Sequence, residues 1–330
     1  MKNFYQNKKI LITGAAGSIG IALTDKLLQY NPNVIRLFDN NEAGLFGLRQ
    51  RYQNPPAKLK VRFLLGDVRN QNRLQYALNG IDIVFHLASY KHVLECEYNP
   101  LDAIETNVMG TANVIQAAIN HKVQKVIFTS TDKAANPSNT MGTTKLLAEK
   151  LMIAANDYGA RTTIFSCCRF GNVVGTSGSV IPLFKKQIQE DHKITITDPK
   201  MTRFIIKQDT AIDLVLKTGI LARGGETFIF KMPVINIGGL AQAMIEKYGY
   251  AEKEPIGKKP GEKMYEEVMT EEEMSRAYVG TDMYVIYPQT TQIEFYDTTE
   301  YVKVKSVKNS SQMKTLSHNE IHALLEEEKI

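Results

Sequence analysis

The sequence predicts an α/β fold, a doubly wound parallel sheet with a smaller mixed α/β lobe. Three observations carry this. Short apolar runs alternate with helical patterns through the first half, a glycine-spaced turn joins the first strand to the first helix, and the alternation gives way to mixed segments after residue 172.

Taken in order, KKILITG (8–14) is an apolar run closed by glycine, the pattern of a buried strand. SIGIALTDKLLQY (18–30) follows with Ile19, Leu23, Leu27 and Leu28 at helical spacing, then VIRLFD (34–39) as a second strand. VRFLLGD (61–67), IDIVFHLA (81–88), KVIFTS (125–130) and TTIFSCCRF (162–170) continue the strands. Residues 101–120 and 144–156 read as helices between them. Such alternation implies right-handed βαβ units covered on both faces. GNVVGTSGSVIP (171–182) reads as a Gly/Ser loop, and IGKKPGEK (256–263) as another. Ser317 and Glu320 have capping-box spacing ahead of a final helix. The expected division is a dinucleotide-binding domain over 1–172, returning near 205–231, with 173–330 mainly a substrate-binding lobe and the final helix.

Composition narrows the class. The chain has 330 residues, 43% of them hydrophobic, and a formal charge of +5, which is mild at this length. No Lys/Arg run marks a nucleic-acid groove. Cys96, Cys167 and Cys168 are too few and too clustered for a disulfide framework, and no spacing of Cys and His suggests a metal site. No apolar run reaches about 18 residues and the amino terminus enters a strand without a cleavage site, so a reduced, cytoplasmic protein without membrane association is expected.

Thr13-Gly14-Ala-Ala-Gly17-Ser18-Ile19-Gly20 places three glycines at a strand-to-helix junction. Gly14 permits the turn, Gly17 admits a pyrophosphate to the helix end, and Gly20 lets helix and sheet pack closely. Asp39 ends the next strand, 19 residues past Gly20. A carboxylate there bonds a ribose 2′-hydroxyl and repels a 2′-phosphate, which favours NAD over NADP in a Rossmann-type domain. Asp67 and Val68 fall where an adenine would lie, and Ala88, Ser89 and Tyr90 where the nicotinamide half would.

The stretch TSTDKAANPSNTMGTTK (129–145) has Lys145 where a short-chain dehydrogenase carries its lysine, and Met141 where the tyrosine base belongs. Together with SYKHV (89–93), RFGNVVGTSGSVIPLFKKQI (169–188), MTRF (201–204) and KPGEKMYEE (259–267), it resembles the UDP-N-acetylglucosamine 4,6-dehydratases. These are extended short-chain dehydrogenase/reductases, some with methionine in place of tyrosine. The likeness is nearest to the branch without membrane spans that serves pseudaminic-acid synthesis.

That resemblance implies three steps on UDP-N-acetylglucosamine: oxidation at C4, loss of water across C5 and C6, and hydride return to C6, with retention at C5. It also implies a homo-oligomer. Thr131 would orient the C4 hydroxyl, Asp132 would serve as acid, Lys133 as base, and Lys145 would bond the nicotinamide ribose. In water the dyad is Asp⁻/Lys⁺, the wrong way round, and exchanging the proton costs about 9 kcal/mol from ordinary pKa values. Asp132 resolves part of this if it takes the C4 proton and later delivers it to the 6-hydroxyl. Lys91, His92, Asn172, Ser179, Val180, Arg203 and Glu262 are the implied substrate contacts, with Arg203 a phosphate ligand by its fork geometry. Alternatives are a C5-inverting dehydratase, a UDP-sugar 4-epimerase and a non-enzymatic dinucleotide sensor.

Overall fold

Ten strands make the main sheet of the computed structural model, which describes residues 1–158, 162–176, 178–289, 296 and 298–327. In chain order they are β1 (Lys9–Thr13), β2 (Val34–Asp39), β3 (Val61–Leu65), β4 (Ile83–His86), β5 (Lys125–Thr131) and β6 (Ile164–Phe170). After β7 (Asn172–Val173), β8 (Lys193–Ile196) and β9 (Thr202–Ile206), which lie elsewhere, come β10 (Thr227–Phe230), then β11 (Val234–Asn236) and β12 (Glu252–Pro255). The last are β13 (Ala277–Val279), β14 (Met283–Ile286) and β15 (Val302–Lys303).

The sheet runs β15-β13-β14-β10-β6-β5-β4-β1-β2-β3. It is parallel from β3 through β10 and ends in three antiparallel strands. The central strands are apolar on both faces because helices cover both. Ile10, Ile12, Phe85 and Ile127 point to one core and Leu11, Val84, Val126 and Phe128 to the other. A third core, built on Phe184, Ile188, Ile205, Leu240, Ile321 and Leu325, holds the smaller lobe. There β9 pairs with β11 and β7, and β8 with β12.

Two local expectations change. The 171–182 stretch is not all loop: β7 pairs with β9, and Ser179 is the N-cap of the Val180–Asp191 helix. A two-residue strand is too short to leave a periodic pattern, and Pro182 in the first helical turn costs no hydrogen bond. Ser177 lies outside the described residues. The predicted 101–120 helix starts at Pro100 and passes through a π-helical turn at Ile104–Met109, where each residue turns less than in an α-helix.

Arg169 on β6 is 1% exposed. Its guanidinium forks onto Glu149 (Nη2 to Oε2 2.6 Å, Nε to Oε1 3.1 Å) and onto Glu273 (Nη2 to Oε1 3.0 Å, Nη1 to Oε2 3.1 Å). Nη1 also donates to the Val268 carbonyl at 2.8 Å. Glu273 is itself fixed by a capping box with Thr270. One cation thus joins the sheet, the Thr140–Tyr158 helix and the 268–273 segment. Arg169→Ala leaves two carboxylates buried without their cation, a loss of about 3–5 kcal/mol. Urea unfolding with an unchanged midpoint would show that the fork contributes nothing.

Candidate active site

A cleft of about 660 Å³ opens over the carboxyl ends of the parallel strands, where the strand order reverses between β1 and β4. Its floor is the glycine turn. Gly14 has φ +68°, and a Cβ there would sit 2.7 Å from the Ala88 amide nitrogen. Gly17 is the N-cap of the Ser18–Leu28 helix and no side chain caps it, so the helix's positive end faces the cleft with Ser18, Ile19 and Gly20 in the wall. Thr13 is fully buried; its hydroxyl lies 2.7 Å from His86 Nδ1.

Asp39 faces the same turn. Its carboxylate accepts from the Ala16 amide at 2.8 Å and the Asn41 amide at 2.9 Å. Asp67 accepts from Arg69 through both oxygens and from Asn40. Burial works to raise the Asp67 pKa, but Arg69 outweighs it and holds the carboxyl below its usual range. Val68, Ala88, Ser89 and Tyr90 complete this half of the wall. A Cβ-free turn, an uncapped helix end and a carboxylate on the next strand fit a dinucleotide.

Beyond it, Thr131 ends β5 and the chain tightens into a single 3₁₀ turn at Asp132–Ala134. Thr131 and Lys133 line the cleft; Asp132 is fully buried behind them. Thr131 Oγ1 donates to Asp132 Oδ1 at 2.9 Å, and Lys133 Nζ donates to the same oxygen at 3.0 Å. Lys133 Nζ also approaches Asn172 Oδ1 at 3.4 Å and Glu266 Oε1 at 3.9 Å. Burial pulls the Lys133 pKa down, but Asp132 and then Glu266 override it, so the ammonium is held above its ordinary value. Glu266 is 3% exposed; burial raises its pKa, with Lys133 pulling the other way. Asp132 Oδ2 and Glu266 Oε2 are buried without a hydrogen-bond partner.

Lys145 and Met141 both reach the cleft from the Thr140–Tyr158 helix. Lys145 Nζ donates to the Thr129 carbonyl at 2.6 Å and lies 3.4 Å from Ser89 Oγ and 4.1 Å from the Phe128 ring centre. Burial pushes its pKa down to about 8. Met141 packs with Cys96, Ala103 and Val93, an apolar seat. At Gly142 a Cβ would overlap the Lys133 carbonyl oxygen, so the helix presses directly on the Asp132–Ala134 turn.

Lys91, His92, Asn172 and Ser179 also line the cleft. Val180 and Arg203 do not; they border a small adjoining cavity. The Arg203 guanidinium donates to the Thr202 carbonyl at 2.9 Å and stands 3.9 Å from Glu266. Glu262 lies outside the cleft wall and accepts from the Lys259 amide. Two residues were not singled out in the sequence. Glu266 sits in KPGEKMYEE beside an equally acidic Glu267. Asn107, on the π-helical turn, brackets Tyr90 (N at 2.7 Å, O at 3.1 Å) and donates to Thr144 Oγ1 at 3.0 Å. A polar residue on an otherwise apolar helix face was its only trace.

The family model described as "Polysaccharide biosynthesis protein" matches residues 10–288. The chain belongs to this family. Among its relatives, an uncharacterized membrane protein of Methanocaldococcus jannaschii is 46% identical over 99% of this chain and 98% of its own. A UDP-glucose 4-epimerase of Rickettsia felis is 42% identical over 83% and 81%. A UDP-N-acetylglucosamine 4,6-dehydratase (inverting) of Campylobacter jejuni is 40% identical over 89% and 86%. The solved structure of Pen from Bacillus thuringiensis superposes with a TM-score of 0.92 at 42% identity, covering 98% of each chain. Among the described residues no helix is long and apolar enough to cross a membrane.

Lys145 is expected to titrate near pH 8 in the free protein. NMR of ¹³C-methylated lysines, assigned against Lys145→Arg, measures this. A resonance titrating at the ordinary lysine value would mean that the amine is solvated.

Proposed function

We propose that the protein is a UDP-N-acetylglucosamine 4,6-dehydratase that uses NAD. The observation that carries the reading is the chain from Thr131 in the cleft through buried Asp132 to Lys133 and Glu266. Gly14, Gly17, Ser18, Ile19 and Gly20 would hold the pyrophosphate, Asp39 the adenosine ribose and Lys145 the nicotinamide ribose. Bound there, NAD would supply a hydride acceptor for C4 and, once reduced, a hydride donor for C6.

The protein's own residues move the protons. Thr131 receives the C4-hydroxyl proton as its own passes to Asp132, so an unassisted threonine base is not required. Asp132 is then neutral, and the main support for the Lys133 ammonium is gone. Lys133 gives its proton to Glu266, whose pKa burial raises above the ordinary carboxylate value. The free amine removes the C5 proton while Asp132, through the Thr131 hydroxyl, protonates the departing 6-hydroxyl. Lys133 then returns the C5 proton and recovers its own from Glu266. The C4-hydroxyl proton leaves in the water, and every enzyme group ends as it began. Return by the same amine to the same face retains C5. Inversion, named for the Campylobacter relative, would need a donor on the opposite face.

A 4-epimerase is the second reading, favoured by the name of the Rickettsia relative. Mass spectrometry after incubation with UDP-N-acetylglucosamine separates them: loss of one water is expected, whereas an isomer of unchanged mass would replace this proposal with epimerisation. NMR of product formed in deuterated water reads the C5 face.

Two variants divide the cycle. Asp132→Asn is expected to abolish even the transient absorbance of reduced nicotinamide. Glu266→Gln is expected to keep that transient but lose turnover by about 10²-fold or more, as when a general acid–base partner is removed. Equal loss of both signals in both variants would refute the division of labour.

A further inference from the structure

On the outer face of the smaller lobe, away from the cleft, three side chains converge on one point. His318 and His322 stand one turn apart on the final His318–Glu327 helix, with ring centres 4.6 Å apart. Both present Nε2 to the same oxygen of Glu246, on the Ile237–Tyr248 helix, each at 2.9 Å. The other Glu246 oxygen accepts from Gln242 at 2.7 Å, and Gln242 accepts in turn from Lys253 at 2.6 Å. The carboxylate is therefore oriented from behind.

We propose that Glu246, His318 and His322 form a zinc site. The candidate ligand atoms lie within 4.8 Å of one another. Two imidazole nitrogens and one carboxylate oxygen are a common zinc set, with water completing four positions. One carboxylate oxygen facing two imidazole nitrogens is better matched to a shared cation than to two competing N–H donors. Gln242 supplies the outer hydrogen bond that orients a ligating carboxylate. The spacing His-x-x-x-His gives no hint without a helix, and its third ligand comes from another helix. A bound ion would fasten the last helix, whose Ile321, Leu324 and Leu325 enter the lobe's core, to its neighbour.

The test uses untagged full-length protein stripped with chelator and titrated calorimetrically with zinc chloride. One equivalent is expected to bind the wild type and raise its melting temperature. His322→Gln and Glu246→Gln are expected to lose both effects, and Gln242→Ala to bind about 10- to 100-fold more weakly. All three sites are at the surface, and circular dichroism checks that each variant is folded. Absence of zinc binding to the wild type, or equal affinity in folded His322→Gln, would overturn the proposal. Its outcome is independent of the reaction in the cleft.

Discussion

The buried fork of Arg169 is the constraint on which the active site's geometry depends. A lone guanidinium in an apolar interior is prohibitively costly, so the chain had to bring two carboxylates to it. Those carboxylates lie on the helix that bears Met141 and Lys145 and on a segment a few residues past Glu266. Neutralising one cation therefore ties the helix that carries Lys145 to the segment that follows Glu266. The three antiparallel strands that follow extend the sheet beyond β10.

The same arithmetic governs the catalytic turn. Lys133 is flanked by two carboxylates, and Arg203 stands beside one of them, so no proton in this group moves without changing what its neighbours prefer. An acid and a base that look mismatched as a dipeptide are matched once a second buried carboxylate is added. Met141 sits apart from this charged group, in an apolar seat with Cys96, Ala103 and Val93.

Most of the sheet was legible because buried parallel strands leave unbroken apolar runs, and the glycine turn because its backbone permits few other residues. The turn at Asp132–Ala134 drew notice through a family likeness, which Asp132 and Lys133 alone would not supply. Glu266 and Asn107 stayed hidden for a different reason. Each acquires meaning from partners distant in sequence, and neither stands out locally by type or spacing. Arg203 illustrates the reverse: an attractive phosphate ligand by chemistry, its guanidinium is engaged by the Thr202 carbonyl and lies near Glu266. The short β7 and the π-helical turn arise from tertiary pairing and packing, which periodicity does not record.

Gly142 has a mechanical meaning. With no atom to spare between its backbone and the Lys133 carbonyl, the helix and the Asp132–Ala134 turn are in direct backbone contact. Any movement of the turn therefore has to carry the amino end of the Thr140–Tyr158 helix with it.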